Sequence, residues 1–363
     1  MRKDSSDKKE IKLPLTKSQK LKRKHIYLIL FIVFLIVVLI SLLLISDKDE
    51  NKIAEKSSTT TTTKIKQEKI NIYDIESNKR PYAVMIPNDS GAKKRQYGLQ
   101  NAYLIYEITV EGGITRLLAL YKDIDVERIG PVRSSRHYYL DYALENDAIY
   151  VHFGWSPQAQ SDIETLKINN LNGLYNPSNM FWRDKKYSSP NNAFTSTENI
   201  KKAAENKKYR LESNNYQLLN YKSKVTLEDE SKIKANNVKV YYTNNVYVKY
   251  VYDETNKYYL RYNNENKHID LSTNEQIHMK NILVLKMDTN NISGDDKGRQ
   301  NLNNIGSGEG YYITEGNSIK ITWEKQARDK KTIFKDLKGK EIEINDGNTF
   351  IQIQPTSKKT IIE

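Results

Sequence analysis

Three arginines carry the clearest chemistry in this chain: Arg116, Arg133 and Arg136. Arg133 and Arg136 lie three apart in Ile129-Gly130-Pro131-Val132-Arg133-Ser134-Ser135-Arg136, which reads as a Gly-Pro turn running into a helix over Arg133–Asn146. With Ser134 or Ser135 as the cap, the free N–H groups of that helix and two guanidinium groups would face one point, a setting suited to a phosphate or carboxylate. The competing reading is that these arginines pair with local acids such as Asp123, Asp125 and Glu127.

His152 ends the apolar run Ala148–Phe153, just before Gly154-Trp155-Ser156-Pro157. A histidine at a strand end beside a glycine turn can serve as acid, base or ligand. Trp155 reads either as a stacking surface for a sugar ring or as a core residue. Glu107 and Glu111 are four apart across a strand and its turn, an even spacing that puts both on one face. Such a pair, with His152, would suit glycoside-type hydrolysis. Arg183, Asp184 and Asn192 complete the candidate ligand-binding set (Arg116, Arg133, Ser134, Ser135, Arg136, His152, Glu111 and these three), in polar loops around Phe181-Trp182-Arg183-Asp184 and Ser188-Ser189-Pro190-Asn191-Asn192. Catalytic residues proper cannot be named, because no nucleophile, base and orienting group fall into a recognisable set.

Several chemistries are excluded. The chain has no Cys, so thiolate metal sites, Cys nucleophiles and disulfides are absent. Its five His include no pair at i, i+4, so a zincin-type helix is absent as well. Gly-x-Ser-x-Gly does not occur. Gly306-Ser307-Gly308-Glu309-Gly310 lacks a P-loop lysine and precedes a strand-like run, and reads as a flexible connection. No metal and no cofactor is expected.

The elements that must position these residues divide the 363 residues into five parts. Residues 1–25 form a basic tail with ten Lys/Arg against three acids, more than half of the net charge of +13. The high pI is therefore chiefly a topology signal, and no nucleic-acid partner is expected. Residues 26–45 are 20 consecutive uncharged residues, enough for a transmembrane helix across a hydrocarbon core of about 30 Å. By the positive-inside rule the N-terminus is cytoplasmic and the remaining mass extracytoplasmic, a single-pass signal-anchor at the cell membrane. Residues 46–78, with Thr59–Thr63, read as a flexible linker without a core.

Residues 79–215 mix strands (Pro81–Ile86, Ala102–Val110, Thr115–Tyr121, Ala148–Phe153) with helices, one starting at Ser156-Pro157 and one at the capping box Thr195–Glu198. Residues 236–358 read almost wholly as strand, with hairpins centred on Asn244-Asn245, Gly316-Asn317 and Asp346-Gly347. The expected class is α+β: an N-terminal layered α/β domain, then a mainly antiparallel β domain, preceded by one transmembrane helix.

The strings Glu111–Arg116, Ile129–Arg136 and Phe181–Asp184, with Tyr252-Asp253, Asn281–Val284, Gly306–Gly308 and Ile321–Trp323 further on, resemble the YerB-like family of bacterial lipoproteins over about residues 79–356. The resemblance implies a membrane-attached, extracytoplasmic protein with a layered α/β N-terminal domain, and no established activity. It implies a lipidated Cys anchor that this chain lacks, so the run at 26–45 would replace it. It also implies Pro-His-Asn where this chain has Pro190-Asn191-Asn192, and Ala-Asp where it has Ala102-Tyr103. A catalytic role for that His or Asp would be lost here, whereas binding through Arg116, Arg133 and Arg136 would survive. The function expected is a binding module for an anionic envelope ligand, a wall polymer or an envelope protein. The alternative is a hydrolase or transferase acting on cell-wall material through His152 and Glu107 or Glu111.

Overall fold

The computed structural model describes residues 31–36, 38, 69–176, 179–213, 218–228 and 231–363. Residues 31–36 and 38 are helical with exposed apolar side chains, and the rest of the span expected over 26–45 lies outside the described residues, as does the basic tail. Among the described residues no helix is long and apolar enough to cross a membrane.

Residues 68–363 form one compact unit. Its N-terminal part contains β1 (Tyr82–Pro87), β2 (Leu104–Thr109), β3 (Thr115–Tyr121), α1 (His137–Glu145), β4 (Ile149–His152), α2 (Pro157–Thr165), β5 (Asn170–Asn172) and α3 (Thr197–Asn206). Then follow β6 (Asn237–Tyr241), β7 (Tyr247–Asp253), β8 (Tyr258–Asn263), β9 (Asn281–Met287), β10 (Gly306–Thr314), β11 (Asn317–Lys325), β12 (Ile333–Asp336), β13 (Thr349–Pro355) and β14 (Thr360–Ile362). The class is mixed α+β, with few helices and many strands.

One large sheet, in the order β12-β11-β10-β9-β13-β2-β3-β1-β4-β5, runs unbroken through both parts of the unit. Its centre is β13, parallel to β2 on one side and to β9 on the other. All seven residues of β13 are buried, as expected of a strand covered on both faces. The hairpin expected around Asp346-Gly347 is thereby overturned. Ile344-Asn345 pairs with Tyr221-Lys222 instead, and the chain turns at Gly347 to send β13 into the middle of the sheet.

The large sheet is the middle of three layers. Met85, Ile108, Leu118, Tyr150, Leu283 and Ile353 face α1, where Tyr138, Leu140 and Tyr142 are buried. Val84, Ile105, Leu117, Val151, Val284 and Phe350 face the other way, onto α3 and a second sheet of β8-β7-β6-β14. Fully buried ion pairs tie the N-terminal part to the C-terminal strands, one from β2 and one from the end of α1. Glu107 meets Arg261 at 2.5 Å, and Glu145 meets Lys325 at 2.6 Å.

Several local expectations change. The folded unit begins inside the stretch expected as linker, of which residues 46–68 lie outside the described residues: Ile70 and Tyr73 are buried in the core, and the Asp346 carboxylate accepts the Asn71 and Ile72 amides at 2.8 and 2.9 Å. Gly306–Gly310 is no loose connection but the first half of β10. A β-carbon at Gly308 would come within 2.7 Å of Trp323 Nε1, so glycine lets the indole lie on the strand. The helix at Ser156 forms as expected, Ser156 Oγ accepting the Ala159 amide and Pro157 occupying the first turn. The third helix is capped by Ser196, one residue later than the capping-box spacing implies.

Candidate functional site

β1, β2, β4 and β5 run parallel to one another, with β3 returning between β1 and β2. Their carboxyl ends therefore open at one edge, where loops following parallel strands gather polar groups. Asn88-Asp89 follow β1, Glu111–Gly113 follow β2, Phe153-Gly154-Trp155 follow β4 and Gly173-Leu174-Tyr175 follow β5. Into this edge comes the segment Ile129–Arg136. It is extended rather than helical: the Arg133 amide donates to Met85 O at 2.9 Å, the Ser135 amide donates to Gly154 O at 2.9 Å and Arg133 O accepts the Phe153 amide at 2.9 Å.

The helix expected from Arg133 accordingly starts at His137. Its N-cap is Arg136, without a side-chain cap, because the amides of Arg133 and Ser135 already serve the sheet. Neither Ser134 nor Ser135 caps it, and the two arginines do not share a helical turn.

Two of the three arginines are committed internally. Glu111 Oε1 accepts Arg116 at 3.1 Å and also the Arg136 guanidinium, while Oε2 accepts Arg136 Nε at 2.9 Å. Arg116 further donates to Ser134 O at 2.5 Å, and Arg136 to Ser135 O at 2.7 Å. Burial and then the neighbouring Arg136 pull Arg116 down to about 10. Burial pushes the Glu111 carboxyl up, but the two arginines outweigh it and hold it down at about 2. Local pairing thus takes Arg116 and Arg136, through Glu111 rather than Asp123, Asp125 or Glu127.

Arg133 differs. Among the described residues no hydrogen bond or ion pair reaches its guanidinium, and its buried Nε has no partner. It is half-buried, and burial lowers its basicity while Asp89 raises it. Ser134 Oγ lies beside Gly154, where a β-carbon would come within 3.3 Å of it and 3.8 Å of Leu174 Cδ1. Gly154 has φ +84°, so the turn favours glycine on conformational grounds.

His152 and Ser135 form the floor. Ser135 Oγ accepts the Tyr150 hydroxyl at 2.8 Å. His152 is fully buried, stacks on Tyr150, and has Nδ1 2.8 Å from Gly154 O and Nε2 3.1 Å from Asn170 Oδ1. Burial pushes its imidazole down to about 4, so the ring is neutral at pH 7 and its single N–H donates to only one of these two acceptor oxygens. Glu107 is on the opposite face of the sheet from Arg116. It accepts from Asn88 at 2.9 Å, Thr115 at 2.7 Å and Arg261 at 2.5 Å. Strand β2 ends at Thr109, so Glu107 and Glu111 do not share a face as their even spacing implied. His152, Glu107 and Glu111 do not converge on one another.

Arg183, Asp184 and Asn192 belong to the hairpin of Trp182-Arg183 with Ala193-Phe194. Arg183 donates to Asn192 Oδ1 at 2.6 Å and lies over the Phe153 ring. Asp184 accepts Arg128 at 2.5 Å, and Arg128 is held between the Tyr97 and Phe194 rings, 4.0 Å from each. The hairpin backs the site: the Val132 amide donates to Ala193 O at 2.8 Å.

Sequence reasoning missed Asp89 and Asn172, and marked Asn191 only as the position where the resemblance implies a His. Asn191 donates to Asp89 at 3.2 Å, and its buried Oδ1 has no partner among the described residues. Asn172 Oδ1 accepts the amides of Gly154 at 2.9 Å and Leu174 at 3.0 Å, while its buried Nδ2 is unpartnered among the described residues. The only signal for Asn172 was the turn dipeptide Asn172-Gly173.

Comparison with known proteins gives consistent matches. Residues 70–210 match the family described as "Protein of unknown function (DUF3048) N-terminal domain", and residues 238–351 match its C-terminal domain. The chain is 36% identical over 282 residues to "Putative lipoprotein YerB" of Bacillus subtilis (strain 168), covering 77% of this chain and 82% of that one. The crystal structure of YerB protein from Bacillus subtilis superposes with a TM-score of 0.68 at 33% identity, covering 78% of this chain and 94% of the other.

Proposed function

This chain belongs to the DUF3048 family, in company with YerB, and from that membership we propose a membrane-attached extracytoplasmic protein whose carboxyl-edge site binds an anionic envelope ligand. The observation that carries the reading is the contrast among the arginines. Glu111 pairs with and fixes both Arg116 and Arg136, whereas Arg133 keeps an unpartnered guanidinium. An arginine placed by backbone hydrogen bonds on both sides, with its donors unused, is organised in advance for a carboxylate or phosphate.

The ligand is an anionic wall polymer or an acidic surface of an envelope protein. The relative's name, lipoprotein, supports membrane attachment. With no Cys to carry a lipid, the uncharged run at residues 26–45 would be the anchor, with the N-terminus cytoplasmic.

The test uses the purified full chain in detergent and immobilised anionic wall polymer. The wild type is retained, with binding falling steeply as salt rises. Arg133→Ala abolishes retention and Arg133→Lys restores part of it. Retention unchanged in Arg133→Ala overturns the reading.

A further inference from the structure

The second sheet turns its outer face to solvent. Along β6, β7 and β8 burial alternates: Val238, Val240, Val248, Tyr250 and Tyr259 point into the core, and the side chains between them are turned outward and half-exposed. The outward set includes Lys239 and Tyr241 on β6, Tyr247 and Lys249 on β7, and Leu260 and Tyr262 on β8, none of which joins the core on either side of the large sheet.

The register sets these residues side by side. Lys239 stands directly opposite Lys249, Tyr241 opposite Tyr247, and Lys249 opposite Tyr262, which on its other side faces Lys267. Three ammonium groups rest on rings. Lys249 Nζ is 4.6 Å from the Tyr262 centroid and Lys239 Nζ 5.6 Å from that of Tyr247; Lys359, in the turn before β14, has Nζ 5.0 Å from that of Tyr241. The Tyr241 and Tyr247 rings lie 4.8 Å apart. A ring beneath a lysine limits the rotamers that the side chain would otherwise lose on binding.

The charge at this end of the sheet is one-sided. Like charges directly opposite in an antiparallel pair are destabilising, yet Lys239 and Lys249 share a single carboxylate, that of exposed Glu265. Lys267 and Lys359 have no ion pair among the described residues. The acids Asp253 and Glu363 lie at the far end of the strands, and Asp253 is turned into its own hairpin, where it accepts the Thr255 and Asn256 amides at 3.0 Å.

We infer that this face docks on the surface of an anionic phospholipid bilayer, its lysines on headgroup phosphates and its tyrosines at headgroup level. The face is a broad, open sheet surface of rings with polar tips and lysines with apolar stems, the composition that suits a membrane interface. A single polymer chain would be better held in a groove. Each lysine close to such a surface strengthens the contact about fivefold. The inference rests on the membrane attachment of the proposed function and is independent of Arg133.

The experiment reconstitutes the full chain into vesicles of phosphatidylcholine, alone or mixed with phosphatidylglycerol, and reads quenching of a fluorophore by nitroxide-labelled headgroups. The chain has no Cys, so one label is placed at Asn245→Cys, in the exposed turn between β6 and β7, and in a second preparation at Ser161→Cys, exposed on α2 in the layer across the large sheet. In anionic vesicles the label at position 245 is quenched and the label at position 161 is not, and neutral lipid or high salt abolishes the quenching. Lys239→Gln, Lys249→Gln and Lys359→Gln together lower the ratio of docked to free protein on the order of a hundredfold. The three corresponding Lys→Arg changes leave it in place, and so does Arg133→Ala. The lysines are outside the core, so both sets keep the fold, which urea unfolding checks.

Equal quenching at both positions, equal quenching in neutral and anionic vesicles, or quenching that survives the triple Gln variant overturns the inference. So does soluble polyphosphate that binds the chain in detergent and is lost in the triple Gln variant, without quenching in anionic vesicles; the occupant is then a polymer. Retention on wall polymer that depends on Arg133, with no quenching at position 245, leaves the anion site standing and strikes the bilayer contact alone. A full chain that does not float with neutral vesicles overturns the membrane attachment and this inference together.

Discussion

Replacing Glu111 with Gln separates the structural and the binding roles of the arginines. In the folded protein the carboxyl of Glu111 titrates at about 2, against an ordinary 4.5. At roughly 1.4 kcal/mol per pH unit that gap is on the order of 3 kcal/mol, which contact with water trims to about 2–3 kcal/mol for a side chain that is 24% exposed. A carboxyl whose folded value is depressed stabilises the protein fully above its unfolded value, and the contribution is lost as pH falls from about 4.5 through about 2. Glu111→Gln should therefore lower stability by about 2–3 kcal/mol at pH 7, with the gap from wild type narrowing below pH 4.5.

The same substitution removes a negative charge from beside Arg116 and Arg136. Phosphate bound at Arg133 should tighten by about fivefold or more, the effect of roughly 1 kcal/mol from one unit charge at short range. Urea unfolding of the full chain between pH 7 and 3, with phosphate titration at pH 7, reads both quantities. Unchanged stability at pH 7 or a gap that persists undiminished at pH 3 would refute the clamp; phosphate binding that weakens would mean that the clamp's hold on the Arg133 loop outweighs the removed charge.

Two further outcomes follow from buried charge. Lys325→Met leaves Glu145 without its ammonium partner inside the core, and should cost about 3–5 kcal/mol in urea unfolding. Adding Glu145→Gln should recover a large part of that loss, because the amide oxygen can still accept the Thr332 amide and hydroxyl while the amide nitrogen donates to the Tyr106 oxygen; simple additivity of the two losses would count against a coupled pair. His152 should titrate by NMR with a midpoint near 4, its contribution to stability being complete above the unfolded value near 6.5 and lost as pH falls through 4; a midpoint near 6.5 would mean that the ring reaches solvent.

Much of the fold was legible because its strands are short apolar runs closed by turn residues. β1, β3, β4, β7 and β8 lie where such runs are, and the Gly112-Gly113 turn takes positive φ at both residues. What escaped were choices of partner between distant segments. Thr349–Ile353 and Ile342–Ile344 flank a good hairpin turn, yet β13 is taken by β2 and β9, more than 60 residues away in sequence. Its glutamines show why the central position holds: Gln352 accepts the Tyr242 hydroxyl at 2.8 Å, and Gln354 donates to Tyr241 O and Lys359 O. Helical spacing at Arg133 was outcompeted in the same way, by carbonyls on β1 and after β4. The arginine cluster itself was visible as residue types. Its division into two fixed members and one free member depends on Glu111, whose partner at position 136 no local rule identifies.

That division explains how an extended loop can hold a binding arginine steady. A loop of eight residues would ordinarily fray, and an arginine on it would lose several rotors on binding. Here Arg133 is flanked by hydrogen bonds to β1 and to the turn after β4, and its neighbours Ser134 and Ser135 offer their carbonyls to Arg116 and Arg136. Glu111 ties those two guanidinium groups to the end of β2, which is itself pinned by β13 from the C-terminal segment. The site is built wholly from residues 88–192, but its rigidity comes from the far end of the chain. The two matched segments are therefore parts of one mechanical unit: the second supplies the central strand and the buried cations Arg261 and Lys325 on which the first depends to present its edge.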